Sequence, residues 1–194
     1  MMEQLKAKMR AEGSVIDTHV LKVDTFLNHQ VDPIFMLSMA EEWKRRLGDE
    51  KITKIVTLES SGIAPALILA QLYGVEMIFA RKKKSITMDD SIYTADVYSY
   101  TKKLSHTITI SKSFLTEQDH VLIIDDFLAN GEAALGLCDV IEQSGATIAA
   151  IGIVIEKSFQ PGRQKLLEKN YRVESLARIA SLNNGEITFI EEKT

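Results

Sequence analysis

The chain has 194 residues, 45% of them hydrophobic and only 3 of them proline, enough to bury the core of one domain and to exclude disorder away from the ends. A formal charge of −4 and a sequence pI near 5.6 argue against a polyanion such as DNA as the main partner. A lone cysteine, Cys138, excludes an intrachain disulfide framework and suits a reducing cytoplasm.

The opening MMEQLKAKMRAEG is charged and carries no apolar run. Neither a signal peptide nor a membrane span is expected, and the protein is expected to be soluble and cytoplasmic. Asp32-Pro33 supplies a cap followed by proline at a first helical position. Met36, Met39, Ala40, Trp43 and Leu47 then recur at helical spacing, which predicts an amphipathic helix over 33–47. ITKIVTLE (52–59) reads as a strand that breaks at Ser60-Ser61-Gly62, IAPALILAQLYG as a buried helix ending at Gly74, and VEMIFARK as the next strand. Residues 83–112 interrupt this rhythm with short β-prone stretches rich in hydroxyl and charged groups, which suits a long excursion or hairpin off the sheet. The βα pattern then resumes: VLIIDD as strand, GEAALGLCDVIEQSG as helix, TIAAIGIVIEK as strand, PGRQKLLEKN as helix and YRVESLARIASL as strand. Near-continuous apolar strands alternating with helices predict an α/β fold whose mostly parallel central sheet is flanked by helices.

In such a sheet ligands bind at the C-terminal strand ends, where loops lead into helix N-termini. VLIIDDFLANGEAALG (121–136) places Asp125 and Asp126 at such an end, before a small turn, Ala129-Asn130-Gly131, that can present backbone amides to an anion. A ribose phosphate reconciles carboxylates with an anion cradle, because hydroxyls bond to the carboxylates while the phosphate sits on the amides. Two other readings compete. An apolar strand ending in two aspartates also resembles the metal-binding strand of a P-loop NTPase, but no G-x-x-x-x-G-K-[ST] is present, and Gly131 to Gly136 continues into Leu137-Cys138. Helix capping or a structural ion pair is the plainer role for the aspartates. Their company favours the sugar phosphate: Glu59-Ser60-Ser61-Gly62-Ile63 offers a second anion site, and Arg81-Lys82-Lys83-Lys84 supplies positive charge, although such a run is also what a solvated face looks like.

VLIIDDFLANGEA resembles the phosphoribosyl-diphosphate (PRPP) motif of type I phosphoribosyltransferases, and ESSGIA resembles their pyrophosphate loop. LKVDTFLNHQVDP, FARKKKS and IVIEKSFQPGR extend the resemblance to a purine-specific branch over nearly the whole chain. One departure stands out: where many relatives carry Thr or Ser hydroxyls in the phosphate loop, this chain reads Ala129-Asn130-Gly131-Glu132-Ala133. Backbone amides and Asn130 would then hold the phosphate, and Glu132 would have to point away.

The resemblance implies one domain over 1–194, with a small hood built from 1–32 and C-terminal segments and a flexible β loop at about 83–105. It implies transfer of a 5-phosphoribosyl group from PRPP to a purine, with Asp125, Asp126, Arg81, Lys82 and Lys84 as catalytic groups. Ser60, Ser61 and Gly62 would meet the diphosphate, and Leu21, Asn28 and Lys157 the base. It further implies substrate-bound Mg²⁺, a homodimer, no nucleic-acid partner and no membrane. Asn28 offers both donor and acceptor, and Lys157 suits a purine carbonyl or an anionic base, which points to xanthine; guanine, hypoxanthine and adenine remain alternatives. Pairing with a nearby carboxylate is the plainer role for Lys157, and Phe159 could stack on a purine or pack in the core. His19, His29, His106 and His120 lack ligand spacing and read as structural or surface residues. A non-catalytic PRPP sensor of the same fold would need a nucleic-acid reader, for which about 30 residues before the first expected core helix leave no room.

Overall fold

A computed structural model of the chain describes residues 2–82, 91–99 and 104–191. Lys83, Lys84 and much of the expected 83–105 loop lie outside the described residues. In chain order come α1 (Glu3–Glu12), a short β1–β2 ribbon (Ser14–Val15 and Leu21–Lys22), a π-helical turn (Asp24–Asn28) and α2 (Pro33–Leu47). They are followed by β3 (Lys54–Leu58), α3 (Ile63–Tyr73), β4 (Glu76–Ala80) and the antiparallel hairpin β5 (Ile92–Ser99) and β6 (Leu104–Ser111). The chain closes with β7 (His120–Leu128), α4 (Glu132–Gln143), β8 (Thr147–Lys157), α5 (Gly162–Glu168), β9 (Val173–Asn183) and β10 (Glu186–Phe189).

Six strands form the central sheet in the order β10-β9-β8-β7-β3-β4. All neighbours run parallel except the β9–β10 edge pair. Alternate side chains of β7 sort to opposite faces, as period two demands: Leu122 and Ile124 join the core under α2 and α3, while Val121 and Ile123 join the core under α4 and the hairpin. The chain winds outward from β3 to β4 in one direction and through β7, β8 and β9 in the other, so the topology switches between β3 and β7. That is where open α/β sheets leave a crevice.

The helix expected over 33–47 has those bounds. Asp32 caps it, accepting from Phe35 N at 3.0 Å, and its periodic residues Met36, Met39, Ala40, Trp43 and Leu47 are all buried. The excursion after β4 is a hairpin, tied to the sheet by mutual hydrogen bonds between the main chains of Arg81 and Thr109. α1 was not expected. Its polar sequence EQLKAKMRAE carries only Leu5 and Met9 at helical spacing, and both are fully buried. Cys138 is buried in α4, and burial pushes its thiol up to about 12, which makes it a poor nucleophile.

Candidate active site

The sequence suggests that β7 stops at its two aspartates, but the strand runs on to Leu128 because β8 continues to pair with it, Phe127 opposite Ile155 and Leu128 opposite Glu156. Pairing with β3 has already ended at Ile123. Asp125 and Asp126 therefore emerge at the switch point, held on one side and open on the other. Asp125 is only 6% exposed and accepts a hydrogen bond from Asp126 N at 3.0 Å. Burial, and then the neighbouring Asp126 charge, push its carboxyl well above the usual carboxylate range. Asp126 accepts from Phe127 N at 2.9 Å through one oxygen and from Asn28 Nδ2 at 2.9 Å through the other.

Downstream, Ala129, Asn130, Gly131, Glu132 and Ala133 line an open cavity of about 250 Å³ together with Tyr98 and His106 of the hairpin and Lys82. Gly131 has a φ of 89°, a left-handed conformation that suits glycine, and caps α4. Gly162 packs directly on it: its N–H donates to Ala129 O at 3.0 Å, and a Cβ there would collide with that carbonyl. Glu132 is engaged by Lys165 Nζ of α5 at 2.6 Å, so its charge is matched beside the amides at the head of α4.

Across the crevice, Ser60, Ser61 and Gly62 make the turn from β3 into α3, with Ile63 N donating to Ser60 O at 3.1 Å. Glu59 organises this turn. One of its carboxylate oxygens accepts from Lys82 N at 2.7 Å and the other pairs with Arg81 Nε at 3.0 Å. Arg81 and Lys82 are thus fixed beside the serine turn, Arg81 already paired with an acid. The sequence places Glu59 in the predicted anion-binding turn but gives it no role of its own, its position at the end of a strand and next to a turn being its only signal.

The N-terminal segments converge on the same crevice. Asp17 accepts from His19 N and Val20 N, both at 2.7 Å, shaping a turn whose His19 carbonyl takes Lys157 Nζ at 2.6 Å. Lys157 also lies 5.3 Å from the centre of the Phe127 ring. Burial lowers its pKa, opposed by the charges of Asp17 and Asp126. Phe159 lies 6.2 Å from the His19 ring and is 36% exposed, away from the core. Leu21 is 6% exposed, its side chain part of the apolar core beneath these segments.

Next to Lys157, Glu156 is fully buried and accepts from Ser158, Ser175, Arg163 at 2.8 Å and Arg178 at 3.0 Å. Burial acts to raise its pKa, but the two hydroxyls and two guanidiniums together hold it below its ordinary value. The signal in the sequence was an acid inside the apolar run IVIEK. Of the histidines, His106 lines the cavity at residues 129–133, a position its sequence surroundings did not suggest. His120 bonds with Thr147 and Glu50 at the far end of β7.

A family model described as a phosphoribosyl transferase domain matches residues 34–185. The chain belongs to that family. A xanthine phosphoribosyltransferase of Bacillus mycoides is 57% identical over 193 residues, covering 100% of this chain and 98% of that protein. One of Bacillus cereus is 56% identical over the same span, with the same coverage of 100% and 98%. Among solved phosphoribosyltransferases, the adenine enzyme of Giardia lamblia, complexed with 9-deazaadenine, superposes with a TM-score of 0.68 at 29% identity, covering 75% of this chain and 80% of that one. The adenine enzyme of Trypanosoma brucei gives a TM-score of 0.75 at 18% identity, covering 90% of this chain and 79% of that one, a likeness of fold alone. This phosphoribosyltransferase chain thus carries the fold that its strand and helix rhythm predicts.

Proposed function

We propose that this chain transfers the 5-phosphoribosyl group of PRPP to xanthine, giving xanthosine 5'-monophosphate and pyrophosphate. The observation that carries this reading is the convergence, at the switch point, of the aspartate pair with Asn28 on the same carboxylate and with Lys157 facing it. The full-length identity to xanthine phosphoribosyltransferases supports the choice of base.

In this reading Asp125 and Asp126 take the ribose hydroxyls. The amides of Ala129, Asn130, Gly131, Glu132 and Ala133 take the 5-phosphate, and Ser60, Ser61 and Gly62 take the diphosphate. As the anomeric carbon becomes cationic, the negative charge of Asp126 stabilises it, while Arg81 and Lys82 oppose the charge on the leaving group. Arg81 would exchange Glu59 for the diphosphate. Lys157 donates to a purine carbonyl and Asn28 bonds to the base edge once the ribose has taken its place on Asp126. Among the described residues no group of three or more His, Cys, Asp or Glu side chains could hold a metal ion. The hard oxygens of Asp125 and Asp126 fit a Mg²⁺ carried on the substrate. When bound, Mg²⁺ neutralises the leaving diphosphate.

The test is incubation with PRPP, Mg²⁺ and each purine base in turn, with the nucleotide identified. Xanthosine monophosphate is expected as the main product; no nucleotide from any base would overturn the reading. Lys157→Met is expected to lower kcat/KM for xanthine by about 100-fold, from loss of a half-buried charged hydrogen bond, while leaving the Kd for PRPP within about threefold. Equal losses in both would remove Lys157 from the base site.

A second copy of the chain is the proposed partner. The open edge at β4 and α3 exposes Leu67, Phe79 and Phe114 around an apolar groove of about 890 Å³. Light scattering is expected to return twice the 21.7 kDa chain mass; a monomer at micromolar concentration would rule this out. The buried free thiol of Cys138 suits the cytoplasm proposed for it. No helix among the described residues is long and apolar enough to cross a membrane.

A further inference from the structure

Thr57 is the penultimate residue of β3, is fully buried, and its Oγ1 has no hydrogen-bond partner among the described residues. Buried hydroxyls normally find partners, and one that does not destabilises the fold by the full loss of its hydration. Valine has nearly the same shape and the same preference for strands, so packing alone gives no reason for the hydroxyl.

Its location supplies one. A Cβ added to Gly62 would collide with Thr57 Oγ1, and the same point lies 3.3 Å from Ile124 O and 3.4 Å from Asp125 Oδ1. The hydroxyl therefore sits directly beneath the last residue of the Ser60-Ser61-Gly62 turn, on the side facing the aspartates. The Tyr73 hydroxyl is likewise buried without a partner, but it lies at the end of α3, whereas Thr57 lies where the turn meets the crevice.

We propose that Thr57 is a positioning residue of the diphosphate turn: its hydroxyl bonds to the main chain at Gly62 in the arrangement of residues 59–62 that grips the diphosphate of PRPP. The inference rests on the assignment of that turn to the diphosphate. It adds a residue that touches no substrate and acts by fixing the amides that do. Because the bond forms only in the gripping arrangement, it favours that arrangement over others, and its effect appears in the affinity for diphosphate-bearing ligands.

The test is titration calorimetry with PRPP and, separately, with inorganic pyrophosphate in Mg²⁺ buffer, on the wild type, Thr57→Val and Thr57→Ser, with a thermal melt of each. Thr57→Val is expected to melt about 3 °C higher, as an unpaired buried hydroxyl is removed, and to bind both ligands about five- to tenfold more weakly. The KM for xanthine should be unchanged. Thr57→Ser, which keeps the hydroxyl and loses the methyl, is expected to bind both ligands like the wild type while melting lower. A valine variant that binds PRPP and pyrophosphate like the wild type would overturn the proposal, as would a serine variant that loses as much affinity as the valine one. Weakened binding in Thr57→Val alone would support it even if the wild type formed no nucleotide from any base, an outcome that would sink the transferase reading instead.

Discussion

Asp126→Asn is expected to lower kcat for nucleotide formation by about 10²- to 10³-fold, the usual effect of removing one preorganised charge from a transition state. Asparagine keeps the shape and can still bond with Asn28 and a ribose hydroxyl, so KM for PRPP should move far less than kcat. The fold should not suffer. Asp125 is raised above its ordinary value of 3.8 by burial and by the Asp126 charge. A carboxyl raised in this way costs stability as pH climbs from that ordinary value toward the raised one. Removing the Asp126 charge reduces that cost, so at neutral pH the variant should melt no lower than the wild type. Single-turnover kinetics and a melting curve check this, and a kcat within threefold of wild type would exclude the charge from the chemistry.

Glu156→Ala is expected to have the largest effect on stability, about 3 kcal/mol, or about 9 °C in melting temperature for a chain of this size. Glu156 is fully buried and its two arginines are each 26% exposed. The alanine variant therefore leaves two partly buried cations and two hydroxyls facing one another, without the acid that gathers them. Its folded pKa is lowered, so the contribution is complete above the ordinary glutamate value of 4.5 and is lost as pH falls through the lowered one. The melting difference between wild type and variant should therefore shrink in acid. Arg163 follows Gly162, which packs on Ala129 and Gly131 of the turn proposed to hold the 5-phosphate, so affinity for PRPP should fall as well; a variant melting within 2 °C of wild type would refute the role.

The β-branched runs and helical spacings made most of the sheet legible, because parallel strands buried on both faces leave an unambiguous apolar pattern. The place of the aspartate pair at the switch point, and of the turn after it at the head of α4, was legible for a similar reason: adjacent charges after an apolar run have few explanations. α1 was not, since two buried residues on a charged helix give almost no periodicity. The roles of Glu59 and Glu156 escaped because their partners come from distant strands and loops. Glu156 meets Ser175 and Arg178 on β9, and Glu59 meets Arg81 and Lys82 after β4. Such roles exist only once the topology has brought the segments together.

Asn28 bonds to Asp126, and Lys157 to the His19 carbonyl. Any purine that uses these groups exchanges internal hydrogen bonds for its own, and the net gain is the small difference between bonds of similar strength. In the proposed reading the cost falls only on a base that engages these groups, so discrimination between bases is set by the net of each exchange and not by the gross strength of the new bond.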